Sequence, residues 1–525
     1  MEFRRPARPR RAWRTVVVAV LAAALLAACG GGGGGAVAAG PPDTAATLRA
    51  GWTVGPTHLD PHMAQSEVAW FRFGFTSFYD RLFTVTAAGE AKGMLVEAFD
   101  YTPDGLGLNL TLRQGVTFRD GKALDAAVVK TNLDRARTLQ SPVVKNRMAA
   151  VTDVTVTGPY TLTLTLNRPT PAMPYVLAEM AGFIMHPDLI ANGDPATQVN
   201  GSGAYSVESF TPGQTLVLVR DRDDYWDADA AKVAKIEHRV IGDFQAFSNA
   251  LAGGQIDIGQ FQPNNVASIE GRRGLATVPV PQGISTDFMF NRNIAPMNDV
   301  NVRKAINLAL DREAITQALY PGSQAKYQYY REGLPGYDPA IRPTPRDVEG
   351  AKAQLAQSGL SGGVDLGEIL VSTAVTKGLI EVIQQQLLEA GIRFTPVTVD
   401  AIQIFSRYAE GTSAGLVQFS QTGTEPSAGA SAVWGRQLNP AGTTPEFDAL
   451  LAAAADNRKT PEERSVGYQA FQHYLLDEAW SAPITFVTYP WVMTERLGGF
   501  SAQMDYATTV GPYDFRYLTM AAASS

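Results

Sequence analysis

Apolar and polar side chains alternate over residues 107–113, Gly-Leu-Asn-Leu-Thr-Leu-Arg, the period-two signature of a strand with one buried face. Residues 160–167 and 214–220 repeat it. Asp104-Gly105 and Gly158-Pro159 precede two of these runs and predict hairpin turns. Further along, the period becomes helical. After Asp299, a predicted N-cap, Val302, Ala305, Ile306, Ala309, Leu310 and Ile315 form one apolar face. Residues 377–390 align Leu379, Ile380, Ile383, Leu387 and Leu388, and Gly391 stops the run. Thr460-Pro461-Glu462-Glu463 predicts a capping box, followed by a stripe of Val466, Ala470, Phe471, Tyr474 and Leu475. The first half is strand-rich, while residues 300–480 alternate helices with strands. That order predicts an α/β protein in at least two parts.

Length and charge narrow the picture. At 525 residues the chain suggests about three structural units. Its core needs no disulfide, and the lone Cys29 could not form an internal one. Residues 1–28 carry six arginines against Glu2, so they hold +5 and the remainder −12 of the formal −7. A body that acidic does not bind nucleic acid by neutralising phosphates.

The N-terminus predicts an export route. Arginines between positions 4 and 14 form a basic region, and residues 15–28 form an apolar stretch too short to span a bilayer. Leu26-Ala27-Ala28-Cys29 resembles the lipobox of bacterial lipoproteins. That resemblance implies a signal peptide over 1–28, cleavage before Cys29 and a diacylglycerol on its thiol. Residues 29–45 are then a glycine-rich tether, flexible for want of side chains to bury. No later stretch reaches transmembrane length.

Signatures of catalysis have the wrong context. Gly359-Leu360-Ser361-Gly362-Gly363 and Gly411-Thr412-Ser413-Ala414-Gly415 fit the Gly-x-Ser-x-Gly pattern, whose nucleophile stands on a strand-to-helix turn. Here each motif follows a predicted helix and enters a strand, so both read as helix C-caps. His58 and His62 have the spacing of helical metal ligands, but Pro61 between them disfavours a helix. The acidic run from Asp221 to Asp229 lacks the glycine and terminal glutamate of a calcium loop and reads as a solvated turn. No glycine loop ends in Lys-Ser/Thr, so no phosphate cradle of that kind is present. No catalytic residue, metal or cofactor is expected.

A series of motifs in order resembles the family 5 extracellular solute-binding proteins of ABC importers for oligopeptides, dipeptides and nickel complexes. They are Leu59-Asp60-Pro61, Tyr79-Asp80-Arg81-Leu82-Phe83, Leu95-Val96-Glu97-Ala98-Phe99, and Leu112-Arg113-Gln114-Gly115-Val116-Thr117-Phe118-Arg119-Asp120-Gly121. Gly201-Ser202-Gly203-Ala204-Tyr205, Asp224-Tyr225-Trp226, the run from Leu251 to Asp257, and Val302-Arg303-Lys304-Ala305-Ile306 through Asp311-Arg312 follow. Phe99, Arg119 and Val129 depart from the family's usual Trp, His and Asp.

The resemblance implies a bilobal α/β periplasmic-binding-protein fold of class II. The first lobe would comprise 46–280 and 495–525, with 63–200 as an added subdomain, and the second lobe 281–494. A two-crossing hinge would lie near 279–283 and 489–495. It implies a monomer that captures a small-molecule or peptide solute in the interlobe cleft and delivers it to ABC permease subunits at the membrane. The competing readings are a lipid-anchored serine hydrolase using Ser361 or Ser413, and a non-transporting sensor on the same scaffold.

Candidate solute contacts are His58, Phe288, Gln421, Thr422, Thr424, Glu425 and Trp434. Trp434 lies in a Gly/Ala/Ser-rich loop, where a large apolar group can meet a ligand. Peptide-binding members carry an Asp for the α-ammonium after the second-lobe strand; here Gln421 or Thr422 stands there, although Glu425-Pro426 keeps the acidic-Pro step. A buried ammonium without a partner is costly. The expectation is a blocked or modified peptide, or another polar solute, with Lys377 as a candidate for reaching the cleft.

Overall fold

The computed structural model describes residues 40–63, 74–139, 141–373, 375, 377–400, 403–421, 425–435, 438–501 and 514–522. Cys29, Thr422 and Thr424 lie outside these residues. No helix among those described is long and apolar enough to cross a membrane.

The alternating runs form strands where expected. Gly107–Leu112 and Thr161–Leu166 pair antiparallel within a four-stranded sheet, with Leu108, Leu110, Leu162 and Leu164 all turned into the core. Asp104-Gly105 turns the chain between Val96–Tyr101 and Gly107–Leu112, and Gly105 takes φ 73°, a left-handed value that favours glycine.

Most other strands join one eleven-stranded sheet. Its spatial order is 392–399, 364–372, 415–421, 275–290, 481–494, 258–260, 47–52, 235–240, 215–219, 206–211, with Gln324–Ala325 added on 481–494. Two strands, Leu275–Phe290 and Ser481–Thr494, run through its middle, antiparallel to each other. Pro279, Val280 and Pro281 face Pro490, Tyr489 and Thr488; the register then shifts before Ser285 meets Phe486. On one side of that irregularity lies a core built from residues between Leu48 and Val280 together with Trp491, Met493, Leu497, Phe500, Phe515, Leu518 and Met520. On the other side, Phe288 to Ile484 form two further clusters on opposite faces of the sheet. Among the described residues, these two strands alone run from one side to the other, as a hinge with two crossings requires.

The helices show how capping cuts an apolar pattern. Asp299 caps Val300–Ala309 by accepting from the Asn301 amide at 2.8 Å. The stripe expected to continue to Ile315 is interrupted: Leu310 is extended, and Asp311 caps a second helix, Arg312–Leu319. Lys377–Glu389 ends at Gly391 with φ 81°. Thr460 and Glu463 form the reciprocal capping box of Pro461–Asp477. The buried face of that helix is Tyr468, Phe471, Gln472 and Leu475; Val466 and Ala470 point to solvent, against the expected stripe. Gln472 is buried because it donates to the Gly336 carbonyl and to Gln328, a partnership invisible to hydropathy.

Several motif residues are architectural. Asp80 accepts from the Tyr225 hydroxyl at 2.6 Å, the Ser202 hydroxyl at 2.8 Å and the Trp226 indole at 3.1 Å, and it faces Arg516. Gly203 lies so close to the Phe78 backbone that a Cβ would meet it at 2.5 Å. Arg119 donates to the Gly201 and Gly203 carbonyls and pairs with Asp221, pinning that loop from the other side.

Candidate functional site

The strands Val364–Ser372 and Gly415–Gln421 are parallel, and their carboxyl ends lead into the helices Lys377–Glu389 and Pro426–Val433. Gln421 pairs with Ile284, beside the register shift of the crossing strands. Ligands of open α/β sheets bind outside the carboxyl ends of such strands, where helix N-termini present free N–H groups.

Glu425 stands at this edge and is 4% exposed. It caps its helix by accepting from the Ala428 amide at 3.1 Å, and it also accepts from the Ser427 hydroxyl. Its other oxygen accepts from the Tyr468 hydroxyl at 2.6 Å. Burial, reinforced by the Glu425 charge, raises the pKa of the Tyr468 and Tyr330 phenols, so Tyr468 stays protonated to donate. From the other side of the hinge, Tyr101 and Tyr175 feel the same carboxylate, and Tyr175 is pushed up to about 12, chiefly by burial.

A polar layer floors the site. Ser285 and Asp287 stand opposite Ser420 and Gln418, so all four share one face of the sheet. Over that face lies Lys326, 1% exposed, whose ammonium donates to Asp287 at 2.7 Å and to Ser285 at 2.8 Å. The Ser285 hydroxyl donates in turn to the second Asp287 oxygen at 2.6 Å. Burial lowers the Lys326 pKa, and Asp287 pulls it back up. Beside this closed triad, the Gln418 amide nitrogen and the Ser420 hydroxyl are buried with no hydrogen-bond partner among the described residues. Unmade bonds of this kind are costly and point to a missing polar partner.

His58 lies half-buried in the loop after Thr47–Trp52, and burial lowers its pKa. Asn457, between the helices Pro445–Ala454 and Pro461–Asp477, donates to the Gly105 carbonyl at 3.1 Å, a bond linking the two sides of the hinge.

Of the predicted contacts, Glu425 occupies the strand-end position. Gln421 is there by its backbone register. Phe288 is fully buried against Phe290 and Phe394 on the opposite face of the sheet, where alternation from Asp287 puts it. It packs a core. Trp434 is 7% exposed, edge-on to Tyr329 and Trp480 at centroid distances of 5.6 and 5.5 Å. Ser413 donates its hydroxyl toward the Glu368 and Gly415 carbonyls, serving the turn. No group of three or more His, Cys, Asp or Glu capable of holding a metal occurs among the described residues. The triad of Ser285, Asp287 and Lys326, with Gln418 and Ser420, is absent from the sequence reading; the one available signal was polar residues on strands otherwise rich in Phe, Met, Leu and Val.

Hydrophobic clusters on either side of two shared strands, with a polar site beside the crossing, define a bilobal binding protein. Residues 90–437 match the family described as bacterial extracellular solute-binding proteins, family 5 Middle, and the chain belongs to it. It is 26% identical over 464 residues to the glutathione-binding protein GsiB of Salmonella paratyphi A, covering 85% of this chain and 90% of that protein. Its fold is similar to that of DppA from Helicobacter pylori in complex with the peptide STSA, with a TM-score of 0.76 at 19% identity over 91% and 99% of the two chains. It is also similar to NikA from Brucella suis in complex with Fe(III)-EDTA, with a TM-score of 0.78 at 22% identity over 90% and 100%.

Proposed function

We propose that this chain is the solute-capturing subunit of an ABC importer, held at the outer face of the cell membrane by lipid on Cys29. A lobe of residues 46–280 and 495–525 closes on a lobe of 281–494 around a peptide-like polar solute, and permease subunits receive the closed form. Closure of this kind selects a liganded state and needs no covalent chemistry. The relatives carry names for solute binding, among them glutathione binding, which supports the peptide-like class.

The state of Glu425 carries the solute assignment. Its oxygens already accept from Tyr468, Ser427 and the Ala428 amide. A carboxylate so engaged serves the helix and its tyrosine and is not held open for a ligand ammonium. The unpartnered Gln418 amide and Ser420 hydroxyl suit carbonyl or amide groups instead. The solute is therefore a peptide whose amine is blocked or modified, or another polar molecule. Unmodified di- and tripeptides at millimolar concentration should give little thermal shift. An N-acylated peptide at 100 times its Kd should add about 2.7 kcal/mol. Micromolar affinity for a free dipeptide, lost on acetylating its amine, would overturn the assignment. For the anchor, Cys29→Ser should leave the detergent phase on Triton X-114 partition, and retention there would refute it.

A further inference from the structure

At the outer ends of the crossing strands, where Leu275 pairs with Thr494, a cavity of about 320 Å³ opens beside the Gly254 turn. That volume is in the range of small-molecule sites. Four guanidiniums line it: Arg49, Arg272, Arg273 and Arg496. Asp257 is the one carboxylate in the lining, and Arg49 already holds it, at 2.8 Å and 2.9 Å through two of its nitrogens. Arg496 uses two nitrogens on the Ala521 carbonyl, and Arg272 uses one on the Ser268 carbonyl. Arg272, Arg273 and Arg496 have no carboxylate partner among the described residues, and Arg272 and Arg273 are exposed. A protein whose body carries a large negative charge thus concentrates unneutralised guanidiniums around one concavity. Forked donors converging in this way match the tetrahedral oxygens of a phosphate group.

The chain's own path says what supplies that phosphate. Ala521, held by Arg496, bridges Pro42, and the Asp43 amide donates to the Met520 carbonyl at 2.7 Å. The segment leading from Cys29 therefore enters the folded body beside the cavity. We propose that this cavity binds the phosphate of an acidic phospholipid headgroup and seats the first lobe on the membrane that holds the anchor. Each guanidinium near an acidic surface gains roughly fivefold in association. The rest of the acidic body is repelled, so the cavity would select which face meets the lipid.

The membrane half of this proposal rests on anchoring through Cys29, whereas phosphate binding by the cavity does not. The test uses the full chain purified from bacterial membranes in detergent. Calorimetric titration with glycerophosphoglycerol, the deacylated headgroup, should show binding that Arg272→Ala/Arg273→Ala weakens at least about tenfold. The unfolding midpoint of that variant should stay unchanged. In proteoliposomes, phosphatidylglycerol should slow tryptic cleavage after Arg272 and Arg273 at least about fivefold relative to phosphatidylcholine alone. No headgroup binding would overturn the proposal. Equal affinity for inorganic phosphate, with equal cleavage in both vesicles, would overturn the lipid source in favour of a soluble ion. A chain that stays aqueous in Triton X-114 would refute the anchor, and the titration would still decide the cavity.

Discussion

Replacing Lys326 by Met isolates the cost of the buried ion pair under the candidate site. In the native chain the ammonium and the Asp287 carboxylate are both essentially inaccessible, 2.7 Å apart, and joined through Ser285. Met keeps the bulk of the Lys stem but removes the charge, leaving Asp287 with a single hydroxyl donor in a dry setting. Breaking a buried pair by removing one partner costs about 3–5 kcal/mol, because the survivor is buried and unpaired. Removing both charges, as Lys326→Met/Asp287→Leu, leaves no such survivor and costs about 1 kcal/mol or less. Asp287→Leu alone strands the ammonium at a similar cost, so a double-mutant cycle by urea unfolding should give a coupling of at least about 5 kcal/mol. On heating, the single variant should lose roughly 1–2 °C for each kcal/mol, as the unfolding entropy of a chain this long implies. The double variant should be stable yet bind the copurified solute at least about tenfold more weakly, if the pair is kept for the site. A single variant within about 1 kcal/mol of wild type, or a double variant as unstable as the single, would refute the reasoning.

Burial lowers the pKa of His62 to about 4 and that of His238 to about 3, against an ordinary 6.5. The unfolded chain thus takes up protons first as pH falls, so the stability these groups protect is complete above pH 6.5 and lost on the way to pH 4. The loss should reach about 6 kcal/mol at pH 4 by urea titration, and a flat profile from pH 7 to 4 would refute it. Asn457→Ala removes the bond to the Gly105 carbonyl across the hinge. Small-angle scattering with saturating solute should then show a larger radius of gyration than wild type, and identical profiles would mean the contact does not help hold the lobes together. Trp434→Ala empties a site between Tyr329 and Trp480 and should cost about 3–5 kcal/mol. Solute affinity unchanged within twofold would remove Trp434 from the solute contacts.

Periodicity and capping exposed the local elements well, because each is decided by neighbours in sequence. Leu108 and Leu110 alternate into a core, and Thr460 with Glu463 close a box across one turn. The errors arose where a distant partner decides. Gln472 displaces the expected apolar stripe because Gln328 and Gly336 lie against it. The stripe from Val302 breaks because Asp311 caps again, leaving Leu310 extended.

The motifs that made the family recognisable are largely not those that line the site. Arg303 donates to the Ala479 and Met297 carbonyls, and Arg312 to the Pro483 carbonyl at 2.6 Å, so both buried arginines brace the start of a crossing strand. Asp80, Ser202, Tyr225 and Trp226 meet in one hub of the first core. These residues fix where the crossing strands start and how the first core is built. The floor of Ser285, Asp287, Lys326, Gln418 and Ser420 draws on three segments far apart in sequence and brought side by side by register alone. No spacing rule can reveal such a set. A scaffold arranged like this lets its solute change without disturbing the hinge, since the residues that brace the strands and the residues that face the cleft are different residues.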